Sequence, residues 1–454
     1  MHPKLSTVDR SSLRKAFQKI EWATKGKVSQ VVGNMIEAEI PNIKIGTTTK
    51  IEIPGSKKTT IAEVVGFRGE TALLMPYSQV DGISAGCLIS PIKHGSTIKV
   101  GDYLIGKVLD AHMRELGSGY SYPYEDGLEM ALDPPPIDPM NRERITEPMV
   151  LGIRAIDALA TFGCGQRIGL MAAAGVGKSV LMGMIARNSE ADINVIGLIG
   201  ERGREVREFV ERDLQKSGLK RSVVIAVTGE NSPLLRVRGA KIATAVAEYF
   251  SQQGKNVMLM IDSLTRVAMA QREIGNSVGE PPTTKGYTPS VFSLLPKLLE
   301  RAGPQPKDQG KISAIYSVLV EGNDFDEPIA DACKSILDGH ISLSSELASK
   351  GHFPAIDIPL SISRVMTDIL SKEQIKFANF IKSLIAEYKE QVFYIQAGIY
   401  SPGSNPRLDQ AINLMPEIEA FLKQDFDENA DYNQTIQELI KLVHSAHTSN
   451  QEEN

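Results

Sequence analysis

The chain has 454 residues, 42% apolar and 23% charged, which is enough to fill the cores of about two to four domains and excludes wholesale disorder. Lys and Arg number 50 against 55 Asp and Glu, a formal net charge of -5. That sign is opposite to the one expected of a protein that grips nucleic acid through its phosphates. Cys87, Cys164 and Cys333 share no metal or redox spacing and read as small buried hydrophobes in a reducing compartment. No apolar run reaches ~18 residues, and the basic start of the chain has no apolar stretch behind it. Neither a membrane span nor an export signal is therefore expected, and a cytoplasmic location is.

In chain order, Thr7 to Lys25 comes first. Leu13, Phe17 and Ile20 recur there at helical spacing, with Arg10, Arg14, Lys15 and Lys19 between them. The pattern predicts a short basic amphipathic helix, either docked on its own domain or offered to a partner. From Lys27 to Ile92 the pattern becomes β-rich. Stretches beginning at Val28, Ile36, Thr60 and Thr71 are candidate strands at spacings that suggest a small barrel or sandwich. Asp133-Pro-Pro-Pro-Ile-Asp-Pro is expected to be an extended linker.

Strands and helices alternate beyond the linker. Strands are expected at Arg167–Met171, Asn194–Ile199, Val223–Val227, Val257–Ile261 and Ile312–Val320, and helices at Ser179–Arg187, Val206–Gln215 and Arg238–Gln252. The alternation predicts an α/β domain with a largely parallel sheet. From about Val365 the periodicity is helical, and a polar tail rich in Asp, Glu, Asn and Gln begins at Asp425.

The most informative segment is Arg167-Ile-Gly-Leu-Met-Ala-Ala-Ala-Gly-Val-Gly-Lys-Ser-Val. A buried strand runs into the small-residue loop Ala173, Ala174, Gly175, Val176, Gly177, and then into an apolar helix opening with Lys178, Ser179 and Val180. Small residues let backbone N–H groups turn inward around phosphates, and the helix adds its N-terminal partial charge. Lys178 would reach the β- and γ-phosphates of ATP, and the Ser179 hydroxyl would ligate Mg²⁺. Ala172 stands where this loop usually has its first glycine, a departure that matters only if φ > 0 is needed there.

Two more strand ends complete the candidate site. Asn256-Val-Met-Leu-Met-Ile-Asp262 is apolar until its terminal carboxylate, which would face the Mg²⁺ shell. Glu201 ends Asn194-Val-Ile-Gly-Leu-Ile-Gly and can orient a water in line with the γ-phosphate. The neighbouring Arg204, Glu205 and Arg207 read as a solvated helix start. Phosphoryl transfer also needs positive charge at the transition state, and Arg364 is a candidate arginine for that role.

With these residues in place, the chain resembles the ATPases of type III protein export, flagellar or virulence-associated, which are related to the catalytic subunits of rotary ATP synthases. Between Gly26 and Leu422 the resemblance rests on an ordered series of motifs. These are Arg144-Ile-Thr-Glu-Pro-Met, Gly152-Ile-Arg-Ala-Ile-Asp, the P-loop, Ile199-Gly-Glu-Arg-Gly-Arg-Glu-Val-Arg-Glu-Phe and Ile261-Asp-Ser-Leu-Thr-Arg. Gly279-Glu-Pro-Pro-Thr-Thr-Lys-Gly-Tyr, Ile336-Leu-Asp-Gly-His-Ile and Phe353-Pro-Ala-Ile-Asp follow.

The resemblance implies an α/β RecA-like P-loop ATPase core (96–364) between a small N-terminal β-barrel (25–95) and a helical C-terminal domain (365–454), with residues 1–24 as a regulatory segment. It implies ATP hydrolysis at the interfaces of a homohexamer, energising protein export at the cytoplasmic face of the inner membrane. Glu201 would be the catalytic carboxylate, Arg202 an active-site arginine, Arg364 the finger donated across the interface, and Phe353 the aromatic packed on adenine. Partners implied are a stator-like regulator on the N-terminal segment, an export gate, a stalk-like subunit and chaperone–cargo complexes.

The segment after Asp110 and the serine at Ser345 depart from the family pattern without touching the phosphate chemistry. A hexameric nucleic-acid translocase would share the core, but Lys27 to Ile92 carries only Phe67 and Tyr77 as aromatics for base stacking. A non-enzymatic nucleotide-binding subunit would not need Glu201. Ala268-Met-Ala-Gln-Arg-Glu and Thr284-Lys-Gly-Tyr favour the flagellar branch over the virulence branch, whereas Ser189-Glu-Ala-Asp-Ile-Asn points the other way.

Overall fold

The structure, a computed structural model, describes residues 25–56, 58–78, 80–92, 95–120, 127–320 and 327–449. The amphipathic helix expected over Thr7–Lys25 lies, Lys25 apart, outside the described residues. The chain forms two compact units that divide between Ser96 and Thr97.

The first unit is a closed antiparallel barrel of β1 (Gly26–Val32), β2 (Met35–Glu39), β3 (Thr48–Glu52), β4 (Thr59–Arg68), β5 (Thr71–Pro76) and β6 (Leu88–Pro91), in the order β1-β2-β5-β4-β3-β6. Inward positions alternate along each strand and gather Val28, Ile36, Ala38, Ile51, Ala62, Val64, Leu74 and Ile89 into one core. Register shifts at Val28/Gln30 and Val64/Gly66 bend the strands that must curve.

In the second unit a two-stranded ribbon pairs β7 (Thr97–Val100) with β9 (Leu128–Ala131), and β8 (Val108–Leu109) joins the main sheet. That sheet continues with β10 (Arg167–Ala172), β11 (Ile193–Ile199), β12 (Ser222–Val227), β13 (Val257–Asp262), β14 (Ile312–Leu319), β15 (Gly339–Ser342) and β16 (Ile362–Ser363). Its order is β16-β15-β10-β14-β13-β11-β12-β8, parallel except for β16 against β15. The central strands are buried along their whole length, as expected of a parallel sheet covered by helices on both faces.

Helices begin and end where side chains can serve the free backbone groups. Ser232 caps Pro233–Gln252, and Ser263 caps Leu264–Val278 through the Arg266 N–H. The single helix expected over Val206–Gln215 is instead an α-helix (Gly203–Glu208), a π-helical stretch (Phe209–Leu214) and a further α-turn (Gln215–Leu219). Gly183 lies beneath the π-helical stretch, where a Cβ would come within 2.6 Å of the Asp213 carbonyl oxygen.

The C-terminal portion is helical: Met366–Ile369, Lys372–Gln396, Pro406–Leu422 and Tyr432–Ser449. The polar tail expected from Asp425 is therefore mostly a helix. Its Leu439, Leu442, Val443 and Ala446 are buried among Ile381, Leu384, Leu414 and Ile418, in a core continuous with that of the nucleotide-binding sheet. The periodic apolar stripe decides the outcome over the polar composition. Cys87, Cys164 and Cys333 are free and buried, as expected. Among the described residues no helix is long and apolar enough to cross a membrane.

Candidate nucleotide site

The parallel sheet delivers the carboxyl ends of β10, β11 and β13 to one edge. Leu198 of β11 pairs with Asp262 of β13, and Ala172 of β10 pairs with Leu319 of β14. In such sheets the crevice beyond these ends is where ligands bind. Ala172 is the last residue of its strand and does not need a positive φ, so the missing glycine changes nothing. The left-handed positions are Gly175 (φ +80°) and Gly177 (φ +90°), where side chains would be strained.

Gly177 ends the loop, and the helix Lys178–Asn188 starts at once. Among the described residues, the backbone N–H groups of Gly175 and Gly177 make no hydrogen bond to another backbone group. They lie at the start of the helix that begins at Lys178, and a helix N-terminus collects anions such as a triphosphate. Ala173 lies partly buried at the foot of the loop, Ala174 and Gly175 are exposed at its crest, and Val176 is buried.

Behind the loop lies a charge cluster. The Lys178 ammonium is ion-paired with the Asp262 carboxylate and lies 4.0 Å from Glu201 Oε1. Asp262 Oδ1 also accepts a hydrogen bond from the Ser317 hydroxyl at 2.7 Å, with both groups buried. Arg266 Nε approaches Glu201 Oε1 at 3.3 Å. Burial, reinforced by the Asp262 charge, pushes the Glu201 carboxyl up to about 7 against the opposing pull of Lys178 and Arg266. A base poised near neutrality is what proton acceptance from water asks for. Gly200 (φ +78°) makes the turn before Glu201, where a Cβ would stand 2.6 Å from Arg266 Cδ.

The donor set fits ATP and its usual metal. No group of three or more His, Cys, Asp or Glu among the described residues would cage a cation. Ser179, on the first turn of its helix, and Asp262 instead present one hydroxyl and one carboxylate beside the phosphate loop. Mg²⁺ commonly takes such a pair together with phosphate oxygens and water.

A cavity of about 660 Å³ opens beside the P-loop, lined by Val176, Gly177, Val180, Phe353 and Phe426, among others. Phe353 packs its ring edge over Gly177 and is 47% exposed, leaving a face for a base to stack on. Phe426 also lines the cavity, an aromatic with no signal in the sequence because it sits in what reads as a polar tail.

The structure therefore brings Lys178, Ser179, Glu201 and Asp262 together with Phe353 near them. Arg202 adjoins this cluster through Glu205, which hydrogen-bonds Glu201, whereas Arg364 stands apart from the P-loop. Arg202 caps the helix Gly203–Glu208 and pairs with Glu205, its side chain 72% exposed. Arg364 follows β16, and its N–H donates to the Asp338 carbonyl at 3.0 Å. The Asp338 carboxylate in turn accepts from the Arg167 N–H at the amino end of β10. Six residues of strand, roughly 17 Å, separate that end from the P-loop. Two further site residues emerge: Arg266, which closes the motif Ile261-Asp-Ser-Leu-Thr-Arg without a role of its own being legible there, and Ser317, which has no sequence signal. Only the register of β13 beside β14 reveals Ser317.

Comparison with known proteins agrees over most of the chain. Residues 152–363 match the nucleotide-binding domain of the ATP synthase alpha/beta family, residues 28–92 its beta-barrel domain, and residues 370–441 the T3SS EscN ATPase C-terminal domain. The flagellum-specific ATP synthase of Bacillus subtilis is 50% identical over 420 residues, 92% of this chain and 95% of that protein. The type 3 secretion system ATPase of Xanthomonas euvesicatoria is 42% identical over 421 residues, 93% of this chain and 94% of that one. The solved structure of assembled EscN from enteropathogenic E. coli superposes with a TM-score of 0.86 at 44% identity, covering 92% of this chain and all of that one. A strand-to-helix phosphate loop, facing two strand-end carboxylates and matched over all three regions, makes this chain a P-loop ATPase of the ATP synthase alpha/beta family, in its flagellar and type III export branch.

Proposed function

We propose that the chain hydrolyses ATP at the interfaces of a homohexameric ring and energises protein export through a flagellar type III apparatus. The carrying observation is the position of Arg364. It sits at the amino end of β10 while the P-loop sits at the carboxyl end, so within one subunit it is about a strand's length from the phosphates. An arginine there serves catalysis when the next subunit presents it.

In this reading Lys178 and the loop N–H groups bind the phosphates, and Ser179 and Asp262 hold Mg²⁺, which neutralises phosphate charge when bound. Glu201 accepts a proton from the attacking water. Arg364 of the neighbour, with Arg202 after a side-chain swing from Glu205, stabilises charge on the transferring group. Phe353 and Phe426 hold adenine.

Support for the flagellar branch comes from the 50% identity to the Bacillus subtilis protein against 42% to the Xanthomonas euvesicatoria one. A solved complex joins EscN to its central stalk EscO. We assign a corresponding stalk-like partner here, together with an export gate, chaperone–cargo complexes, a stator-like regulator on residues 1–24, and action at the cytoplasmic face of the inner membrane. The test is ATPase rate per subunit against protein concentration, with Lys178→Ala and Arg364→Ala measured alone and mixed. Rates that rise with concentration, and partial activity on mixing two dead variants, are expected. A concentration-independent rate and no recovery would overturn interface catalysis.

A further inference from the structure

The wall of the base cavity that carries Phe426 belongs to the loop Lys423–Asp431, between the helices Pro406–Leu422 and Tyr432–Ser449. The loop closes on itself through Gln424, Asp425 and Glu428 and is fastened to the nucleotide-binding domain by side chains of that domain. Arg154 donates through Nε to the Phe421 carbonyl at 2.9 Å and through Nη2 to the Lys423 carbonyl, and it forms a two-pronged pair with the Glu428 carboxylate. Its backbone N–H donates to the Gln424 side-chain carbonyl at 3.0 Å. The Arg187 guanidinium lies over the Phe426 ring, 4.3 Å from its centroid, and donates to the Phe426 carbonyl at 2.6 Å. Asn188 reaches the Glu428 carbonyl at 3.1 Å.

Arg187 is anchored in turn. It leaves the helix that begins at Lys178 and donates to the Asp213 carbonyl in the π-helical stretch. Phe426 lines the cavity, and Arg187, which packs on its ring, does not. The same short helix thus presents phosphate-binding groups at one end and the support for a base-stacking ring at the other. A planar cation over one face of an aromatic ring leaves the other face free to stack.

We propose that Arg154 and Arg187 are positioning residues for the nucleotide base: they fix the 423–428 loop of the helical domain so that Phe426 closes the base cavity. Base affinity is then a property of how the helical domain is docked. By reciprocity, bound nucleotide strengthens that docking. The inference rests on the nucleotide-site reading and adds two residues, Arg154 at the cavity wall and Arg187 behind the Phe426 ring.

The experiment measures equilibrium binding of a ribose-labelled fluorescent ATP to the full chain and its displacement by inorganic tripolyphosphate. Wild type, Arg187→Met, Phe426→Ala and the double variant are compared, with melting temperatures recorded alongside. Arg187→Met is expected to weaken ATP about tenfold, while tripolyphosphate displacement changes less than about twofold. In the Phe426→Ala background the same substitution should cost less than about twofold, because its effect runs through the ring. If Arg187→Met fails to fold, Glu428→Gln loosens the same loop from the Arg154 side and is expected to move ATP and not tripolyphosphate. Unchanged ATP affinity, equal loss of both ligands, or full additivity with Phe426→Ala would overturn the inference while leaving the nucleotide site intact. Absence of ATP binding by the wild type would overturn both.

Discussion

Removing the positive charge beside Glu201 should move the acid limb of the ATPase pH profile upward. The perturbation is Arg266→Met, which deletes a guanidinium whose Nε is 3.3 Å from Glu201 Oε1. At that separation two unit charges attract by roughly 1.3 kcal/mol in water and about 5 kcal/mol at an effective dielectric of 20. The Arg266 side chain is 35% exposed and that of Glu201 13% exposed, so solvent screens much of this, and about 1 kcal/mol is the prudent figure. That corresponds to roughly 0.7 of a pH unit.

Losing a cation disfavours the carboxylate. The Glu201 midpoint should therefore rise from about 7 to roughly 7.7. At pH 6.5 the ionised fraction then falls roughly fourfold, and near pH 9 the two enzymes converge. The assay is kcat/KM for ATP between pH 5.5 and 9, which reports ionisations of the free enzyme. Arg266→Lys keeps the charge and should fall between the two. A midpoint that stays in place or moves down, or a profile scaled uniformly at every pH, would refute the electrostatic reasoning.

Three further outcomes follow from the same geometry. Glu201→Gln should lower turnover by at least about 10², yet melt higher than wild type at pH 8 and no higher at pH 5. The folded carboxyl titrates above its unfolded value, so wild type loses stability as the pH climbs through about 7; thermal melts at both pH values decide it. Gly200→Ala puts a side chain at φ +78° and 2.6 Å from Arg266 Cδ, so a loss of about 1–3 kcal/mol is expected by denaturant melts, with activity reduced because Arg266 is pushed from Glu201. Leu439→Ala, in the C-terminal helix, should cost about 2–5 kcal/mol, because the side chain lies in the core shared with the nucleotide-binding sheet; a change under about 0.5 kcal/mol would show that the helix is dispensable.

The phosphate chemistry was legible in one dimension because a P-loop is a local device. Gly175 and Gly177 must adopt left-handed angles, Lys178 and Ser179 must open a helix, and all of it lies within a dozen residues. Asp262 and Glu201 were legible for a related reason: each terminates an apolar strand, and parallel strands end on the ligand side. Barrel and helical domains could be named from family motifs, but β3 and β6 show weak patterns and were found only through their pairing partners.

The amino-acid sequence alone determined the type of fold, the phosphate-binding loop and its two carboxylates, since each depends on residues near one another along the chain. Tertiary structure decided the rest. Ser317 reaches Asp262 from 55 positions away because β14 lies beside β13. Phe426 leaves its polar surroundings to wall a cavity because Arg154 and Arg187 hold its loop. Arg364 stands at the far end of β10 from the phosphates because β16 pairs back along β15. Each of these placements depends on which strands and helices become neighbours. That is set by packing across the whole core, and no local pattern of residues encodes it.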